Sequence, residues 1–229
     1  MLALALVAAP LAAEGQTYTF IDLTPSGFSR SQATGISGGH QVGWGSGMDG
    51  NSHAFLWSST AASAVDLNPS GFTMSEAIGI SGGHQVGSGY TGSSFHALLW
   101  SGTAASAVDL NPSGLTTSCA LGISGGHQVG WGTLTSGGNT NALLWSGTAA
   151  SAVDLQNFLP SNYTYSEACG IDANGDIVGW AYNSSTGQQD AMLWVLVPEP
   201  ATVSLLALGL GVLFMARRLR SPMSSAPKH

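Results

Sequence analysis

The residues of this 229-residue chain that could hold a metal ion recur at one position of a repeated motif. His40, His84 and His127 each follow a pair of glycines, and Asp176 takes that place in a fourth, diverged copy. Three imidazoles and a carboxylate suit a transition metal if the fold aims them at one point. The alternative is that each side chain lies exposed beside its own turn. We therefore expect no metal site and no cofactor, and keep these four residues as the candidate set.

A second group of side chains has the chemistry of sugar binding. Its members are aromatic residues that follow the motif at less regular positions: Trp44, Tyr90, Trp131, Trp180 and Tyr182. Exposed rings beside Asn, Ser and Gly can stack on the apolar faces of sugars, while the polar groups bind hydroxyls. Packing of these rings in the core is the alternative interpretation.

Residues that recur at the same position in every unit are predicted to have structural roles and not to bind a ligand. Four tryptophans in apolar strands are expected to be core: Trp57, Trp100, Trp145 and Trp194. One aspartate per unit would make only a weak calcium site, so hydrogen bonding to the following turn is the favoured role of these residues: Asp22, Asp66, Asp109 and Asp154. The residues at a further recurring position share only the capacity to form hydrogen bonds, which favours capping of a loop as their role. They are His53, His96, Asn141 and Asp190.

Charge and motif content argue against nucleic-acid binding and against catalysis. From Glu14 to Leu196 eleven acids face one base, Arg30, so this part of the chain lacks the basic footprint of a nucleic-acid-binding protein. An enzyme needs different residues in defined roles, whereas most polar residues here are repeated in kind. No zinc-protease motif and no phosphate loop is present. A metal-dependent enzyme on the histidine-bearing face is the remaining alternative.

The elements that position these residues form a repeat. The string Gly-Ile-Ser-Gly-Gly-His-Gln-Val-Gly begins at Gly35, Gly79 and Gly122, and a diverged copy begins at Gly170. Each copy predicts a β-hairpin, because Gly-Gly or Asn174-Gly175 supplies the two positive φ angles of a type I′ turn. A third strand ending in tryptophan and a fourth containing aspartate complete the unit.

Four short strands in about 44 residues are typical of a β-propeller blade. The fold class is therefore predicted as all-β, a four-bladed β-propeller-like repeat over 17–196. The predicted units are Ser31 to Asn68, Ser75 to Asn111, Ser118 to Gln156, and Ser166 to Trp194. Residues Thr17 to Leu23 match a fourth strand, so we expect this N-terminal strand to complete the last unit and close the ring. An open array or solenoid is the alternative.

The units resemble the HAF family of extracellular repeats. The residues that carry the resemblance are His53-Ala54-Phe55-Leu56-Trp57 and His96-Ala97-Leu98-Leu99-Trp100, each downstream of a Gly-Ile…Val-Gly hairpin. Asn141 and Asp190 replace the histidine in the third and fourth units. The resemblance implies a surface or secreted setting and no defined activity.

The N-terminal residues and the cysteines bear on export. Residues 1–15 contain an apolar run typical of a signal-peptide h-region, but the preceding basic region is missing, so we expect a start upstream or a truncation. The alternative for this run is a buried strand or helix. Cys119 and Cys169 could form one bridge, and two unpaired thiols are the favoured interpretation.

The C-terminal segment has three parts in a fixed order. Val197-Pro198-Glu199-Pro200 precedes an apolar run from Ala201 to Ala216, and an arginine cluster follows: Arg217, Arg218 and Arg220. The run predicts a transmembrane helix, and the arginines place 221–229 in the cytoplasm. Residues 197–220 resemble the PEP-CTERM sorting signal. That resemblance implies export, transient anchoring in the inner membrane, and cleavage by an exosortase-type transpeptidase. A plain single-pass anchor is the alternative.

Together these features predict an exported protein of the cell surface or extracellular matrix. Its repeat domain is expected to be non-catalytic, with a structural or binding role. The alternative is a module that binds carbohydrate, namely extracellular polysaccharide.

Overall fold

The computed structural model describes residues 18–197, and these form four antiparallel sheets with almost no helix. Each of the first three units is a four-stranded sheet in sequence order, and the fourth has three strands. The strands of the first two sheets are β1 Phe28–Ser37, β2 His40–Gly47, β3 Ser52–Trp57, β4 Val65–Asp66, β5 Met74–Ser81, β6 His84–Tyr90, β7 Phe95–Trp100 and β8 Val108–Asp109. Those of the last two are β9 Leu115–Ser124, β10 His127–Leu134, β11 Thr140–Trp145, β12 Val153–Asp154, β13 Tyr163–Ile171, β14 Ile177–Asn183 and β15 Gln188–Trp194. The all-β prediction is confirmed.

Short 3₁₀ turns connect the third and fourth strands. They span Ala61–Ser63, Ala104–Ser106 and Ala149–Ser151, and a further turn follows β12 at Leu155–Phe158. In the first, the Ser63 amide donates to Thr60 Oγ1 at 3.2 Å, while the Thr60 amide donates to Ser63 Oγ at 3.4 Å. This capping box turns the chain within the Ser-x-Thr-Ala-Ala-Ser segment, so the two-residue fourth strand can pair with the third.

No helix within residues 18–197 is long and apolar enough to cross a membrane. The predicted transmembrane helix Ala201 to Ala216, the arginine cluster, the segment 1–15 and the tail 221–229 lie outside the described residues.

The glycine pairs make the predicted hairpins in the first three units. The fourth hairpin also forms, but the type I′ turn predicted for Asn174-Gly175 is wrong. Gly38 and Gly39 have φ angles of 56° and 80°, and the two later pairs repeat these values. In the turn between β13 and β14 only Gly175, at 88°, has a positive φ. The longer loop is closed instead by the Asp172 carboxylate, which accepts from the amides of Asn174 at 2.8 Å and Asp176 at 3.0 Å. An aspartate side chain thus replaces the second left-handed residue.

A second set of glycines is required by close backbone approach. A bulge interrupts the first strand of each hairpin, for example between Ala77 and Gly79. Opposite each bulge, a Cβ on the second-strand glycine would overlap a carbonyl oxygen of the first strand. These glycines are Gly43, Gly87, Gly130 and Gly179. The glycine that follows valine in the motif is therefore required, because the backbone of the first strand leaves no room for a side chain there.

The hydrophobic core lies between consecutive sheets. One cluster joins Val42 and Ala54 of the first unit to Ala77 and Trp100 of the second. The next joins the second unit to the third in the same way. Trp57, Trp100 and Trp145 are fully buried, as predicted, and Trp194 is half-buried. Each unit therefore depends on its neighbour for a core, as in other repeat folds.

One serine per junction fixes the distance between neighbouring sheets. Ser75, Ser118 and Ser166 lie in the first strands of units two to four and are fully or almost fully buried. The hydroxyl of Ser118 accepts from the Ala97 amide of the preceding sheet at 2.9 Å and donates to Asn111 at 2.7 Å. The same bonds recur at the other two junctions.

The predicted closure of a ring by the N-terminal segment is wrong for the residues described. Residues 18–24 form no strand, and Tyr18 and Phe20 are 89% and 92% exposed. In the internal units the fourth-strand aspartate contacts a third-strand partner, as Asp66 does with His53 at 2.7 Å. If the N-terminal segment paired with β15, the equivalent partner of Asp22 would be Asp190. Two opposed carboxylates would weaken a strand pair of only two residues. The propeller is therefore not closed within residues 18–197.

Candidate functional site

The third and fourth sheets meet at an open cleft of about 470 Å³. Four aromatic side chains and three polar ones line it: Trp131, Tyr165, Trp180, Tyr182, Thr140, Glu167 and Gln189. This volume lies in the range of small-molecule sites, and the mixture of rings with a few polar groups is typical of binding clefts. We call this feature the aromatic cleft.

Hairpin register places the walls of the aromatic cleft. In the β13–β14 pair, Glu167 lies directly opposite Trp180, and Tyr165 lies opposite Tyr182. Residues directly opposite each other in an antiparallel pair share one face of the sheet. The two tyrosine rings meet edge to face with their centroids 6.1 Å apart. The fourth sheet therefore supplies one continuous aromatic wall.

The third sheet supplies the other wall. Trp131 lies in the middle of β10, and Thr140 begins β11. Opposite Trp131 in the β9–β10 pair is Cys119, which is buried. Trp131 is half-buried, so one part of its ring packs on the sheet while the rest stays available to a ligand.

Glu167 is the ionisable group of the aromatic cleft. Its half-buried position raises the pKa of its carboxyl, because burial penalises the charged form. Hydrogen bonds from Cys169 and from the Trp180 side chain act in the opposite direction. The carboxyl is therefore more readily neutral than an exposed glutamate.

Three of the five predicted sugar-binding aromatics come together here. Trp131, Trp180 and Tyr182 line the aromatic cleft. Trp44 does not, and its ring is covered instead by the Arg30 guanidinium, 5.3 Å from the ring centroid. Tyr90 also lies elsewhere and packs on Phe95, with centroids 4.9 Å apart.

Sequence reasoning missed four lining residues. Tyr165 and Glu167 precede the repeated motif, and Thr140 and Gln189 begin third strands. Counting outward from the fourth hairpin would have found the first two, because its register sets them opposite Tyr182 and Trp180. No sequence signal marks Thr140 or Gln189, since only the packing of two sheets brings them together.

The structure does not assemble the candidate metal ligands. Each histidine is held within its own unit, with Nδ1 3.0 Å from a serine hydroxyl: His40 with Ser58, His84 with Ser101, and His127 with Ser146. Asp176 belongs to the separate Asp172 loop. Within residues 18–197 no group of three or more His, Cys, Asp or Glu side chains is arranged to hold a metal ion.

The recurring aspartates make the hydrogen bonds expected of them. In each unit the carboxylate accepts from the amide two residues later, as Asp109 does from Asn111 at 2.8 Å. Its second oxygen binds the third-strand partner, which is His96 at 2.7 Å in the second unit and Asn141, bound to Asp154 at 2.7 Å, in the third. The recurring histidine position therefore joins two strands and does not cap a loop.

Both cysteines are free thiols. Burial raises the pKa of Cys119 to about 11. Cys169 is exposed, and partial burial together with Glu167 raises its pKa. Because the thiolate is the reactive form, both are poor nucleophiles at neutral pH.

Comparison with known proteins identifies the C-terminal segment. Residues 196–221 match the family model of the PEP-CTERM protein-sorting motif. The motif marks an exported protein that is sorted by an exosortase, through a membrane-anchored intermediate that precedes surface or extracellular release. No curated protein matches the chain significantly. Of the motif residues, only Leu196 and Val197 lie within the described part of the chain, and both are exposed.

Proposed function

We propose that the repeat body is a non-catalytic module that binds an uncharged polysaccharide outside the cell, presented there by exosortase sorting. The aromatic cleft is the observation that carries this proposal. Its four rings offer faces for stacking, and Thr140, Gln189 and Glu167 offer donors and acceptors for hydroxyl groups. The HAF-type character that we assign to the units agrees with an extracellular setting.

Charge limits the class of ligand. Arg30 is the only Lys or Arg between Glu14 and Leu196, and it lies over Trp44, away from the aromatic cleft. An anionic polysaccharide would meet Glu167 and a body rich in acids, with no cation in the cleft to offset them. A neutral glycan avoids this repulsion and uses the stacking surface in full.

The open form of the aromatic cleft favours a polymer over a small molecule. An enclosed pocket would bury most of a small ligand, whereas this cleft is open to solvent, as a site for one segment of a longer chain needs to be. The proposed role is therefore attachment to, or crosslinking of, an extracellular polymer layer.

The test is binding of neutral polysaccharides by the full chain in mild detergent, on a glycan array followed by titration. Trp131→Ala and Trp180→Ala each remove one stacking surface, so we expect each to weaken binding by about tenfold or more. Trp44→Ala is the matched control, since it removes the equivalent ring of the first unit outside the aromatic cleft, and it should bind like the wild type. Equal binding by wild type and both cleft variants would contradict the proposal, as would wild-type chain that binds no neutral polysaccharide.

A further inference from the structure

The first and fourth sheets each expose a face that is buried at every internal junction. Val42, Val86 and Val129 are fully buried, whereas the equivalent Val178 is 52% exposed. Ala191 is exposed where the equivalent third-strand alanines are fully buried, and Leu193 beside it is 60% exposed. We call the surface formed by Val178, Ala191 and Leu193 the trailing face.

The opposite end of the array shows the complementary surface. Ala33 is exposed, although the equivalent alanines Ala77, Ala120 and Ala168 are fully buried against the preceding sheet. Ile36 is 73% exposed, and its internal equivalents are half-buried. We call the surface formed by Ile21, Ser31, Ala33 and Ile36 the leading face.

The polar groups of the two faces also match. Ser31 Oγ is held by Thr24 Oγ1 at 3.0 Å, as each internal junction serine is held by its own turn residue. At the internal junctions that serine accepts an alanine amide of the preceding sheet. The equivalent amide is that of Ala191 on β15, the strand at the edge of the fourth sheet. Each face therefore carries the group that the other face binds elsewhere in the molecule.

We propose that two copies of this chain associate head to tail, with the leading face of one copy docked on the trailing face of the next. The contact repeats an interface that the chain already forms three times between its own sheets. It would bury Val178 and Ala33, let Ser31 accept the Ala191 amide, and cover the open edge of β15 with the segment around Ile21 of the second copy. Because the two faces differ, the contact is heterologous and extends beyond a dimer.

One contact of the docked pair departs from the internal junctions. Asp22 would oppose Asp190, where the third unit pairs Asn141 with Asp154 at 2.7 Å. Asp190→Asn copies that internal pair and leaves an amide oxygen to accept the Tyr163 hydroxyl, which lies 2.9 Å from Asp190. The substitution should therefore tighten association by about fivefold.

The test is sedimentation of the full chain in mild detergent over a range of concentrations. Ala33→Lys blocks only the leading face, and Val178→Lys blocks only the trailing face. Both side chains are exposed in the single chain, so neither substitution should affect folding. We expect each variant alone to lose species larger than the monomer, and a mixture of the two to form one-to-one dimers and nothing larger.

Four results would overturn the proposal. They are a wild-type chain that stays monomeric, a blocked variant that assembles like the wild type, blocked variants that do not pair when mixed, and an Asp190→Asn chain that assembles no better than the wild type. A compact monomer whose two faces are protected from solvent would instead show closure within one chain. The sorting motif, residues 196–221, is identical in all variants, so differences between them report on the body alone.

Discussion

Two junctions between sheets can be compared, the one between the second and third sheets and the one between the third and fourth. They share one backbone arrangement but differ in the side chains that line them. Both bury a serine that binds an alanine amide, Ser118 with Ala97 at 2.9 Å and Ser166 with Ala142 at 3.0 Å. At the earlier junction Thr117 donates to the Phe95 carbonyl at 2.9 Å. At the later one Tyr165 stands in the place of Thr117 and lines the aromatic cleft.

The difference lies in the side chains, since the serine bond keeps the same length. Ser88 is the second-strand residue of the earlier junction, where the later one has Trp131. Cys119 is buried where Glu167 is half-buried. Small residues therefore stand at the earlier junction in the places where large aromatic and acidic residues line the cleft at the later one. A repeat can acquire a cleft in this way without any change in its strands.

The largest expected effect comes from a substitution that disturbs both junctions at once. Gly130→Ala places a Cβ on the Cys119 carbonyl oxygen within the third unit, which packs on both neighbours. The backbone must move apart, so the free energy of unfolding should fall by about 3 kcal/mol in chemical denaturation. Gly137→Ala is the matched control, because nothing lies within 4 Å of its Cβ and its φ is not positive. Equal stability of the two variants would refute the close-approach argument.

A smaller effect tests whether the two junctions are energetically alike. Ser118→Ala and Ser166→Ala each leave a buried amide without its acceptor, at a cost of about 1.5 kcal/mol. We expect equal losses in thermal or chemical unfolding, because the two bonds are alike in length and burial. A clearly smaller loss for Ser166→Ala would mean that the cleft weakens the junction that it opens. Ser29→Ala is the control, since that hydroxyl is exposed and its bond to the Ser46 carbonyl is 3.2 Å long.

The smallest effect is the pH dependence that Glu167 brings to the later junction. Burial raises the pKa of its carboxyl in the folded chain, so the folded state favours the protonated form. Glu167 therefore leaves the stability unchanged below its ordinary pKa of about 4.5. It destabilises the folded chain as the pH rises through the raised pKa of the folded state. Between pH 4 and pH 7 the wild type should lose a few tenths of a kcal/mol relative to Glu167→Gln, because solvent screens a half-exposed group.

Two controls accompany that measurement. Glu76, at the same position of the second unit, also has a pKa raised by burial, so Glu76→Gln should behave alike. Asp49 is exposed, and its pKa is lowered mainly by the hydrogen bond from the Asn51 side chain, so Asp49→Asn should shift the profile in the opposite direction. Parallel pH profiles for wild type and Glu167→Gln would rule out a buried, neutral-leaning carboxyl in the aromatic cleft.

Much of the fold could be predicted from local pattern. The Gly-Gly pairs predict the hairpins, because only paired positive φ angles make that two-residue turn, and Trp57, Trp100 and Trp145 are core because they recur within apolar strands. The same reasoning failed at Asn174-Gly175, where the Asp172 side chain closes the loop instead. It failed again at the N-terminal segment. That segment is similar in sequence to a fourth strand, but the similarity does not show that β15, the strand it would pair with, carries a carboxylate at the facing position.

The sequence by itself determined the repeat, the strand order within each sheet, and the sorting signal, because hairpins and export signals depend on residues that are near in the chain. Only the tertiary structure decided which aromatics share a cleft, which histidines stay apart, and that the ring is open over the described residues. Those outcomes depend on how one sheet packs on the next. That packing is set by buried serines, by facing glycines, and by carboxylates about 170 residues apart in the chain, so no local pattern encodes it.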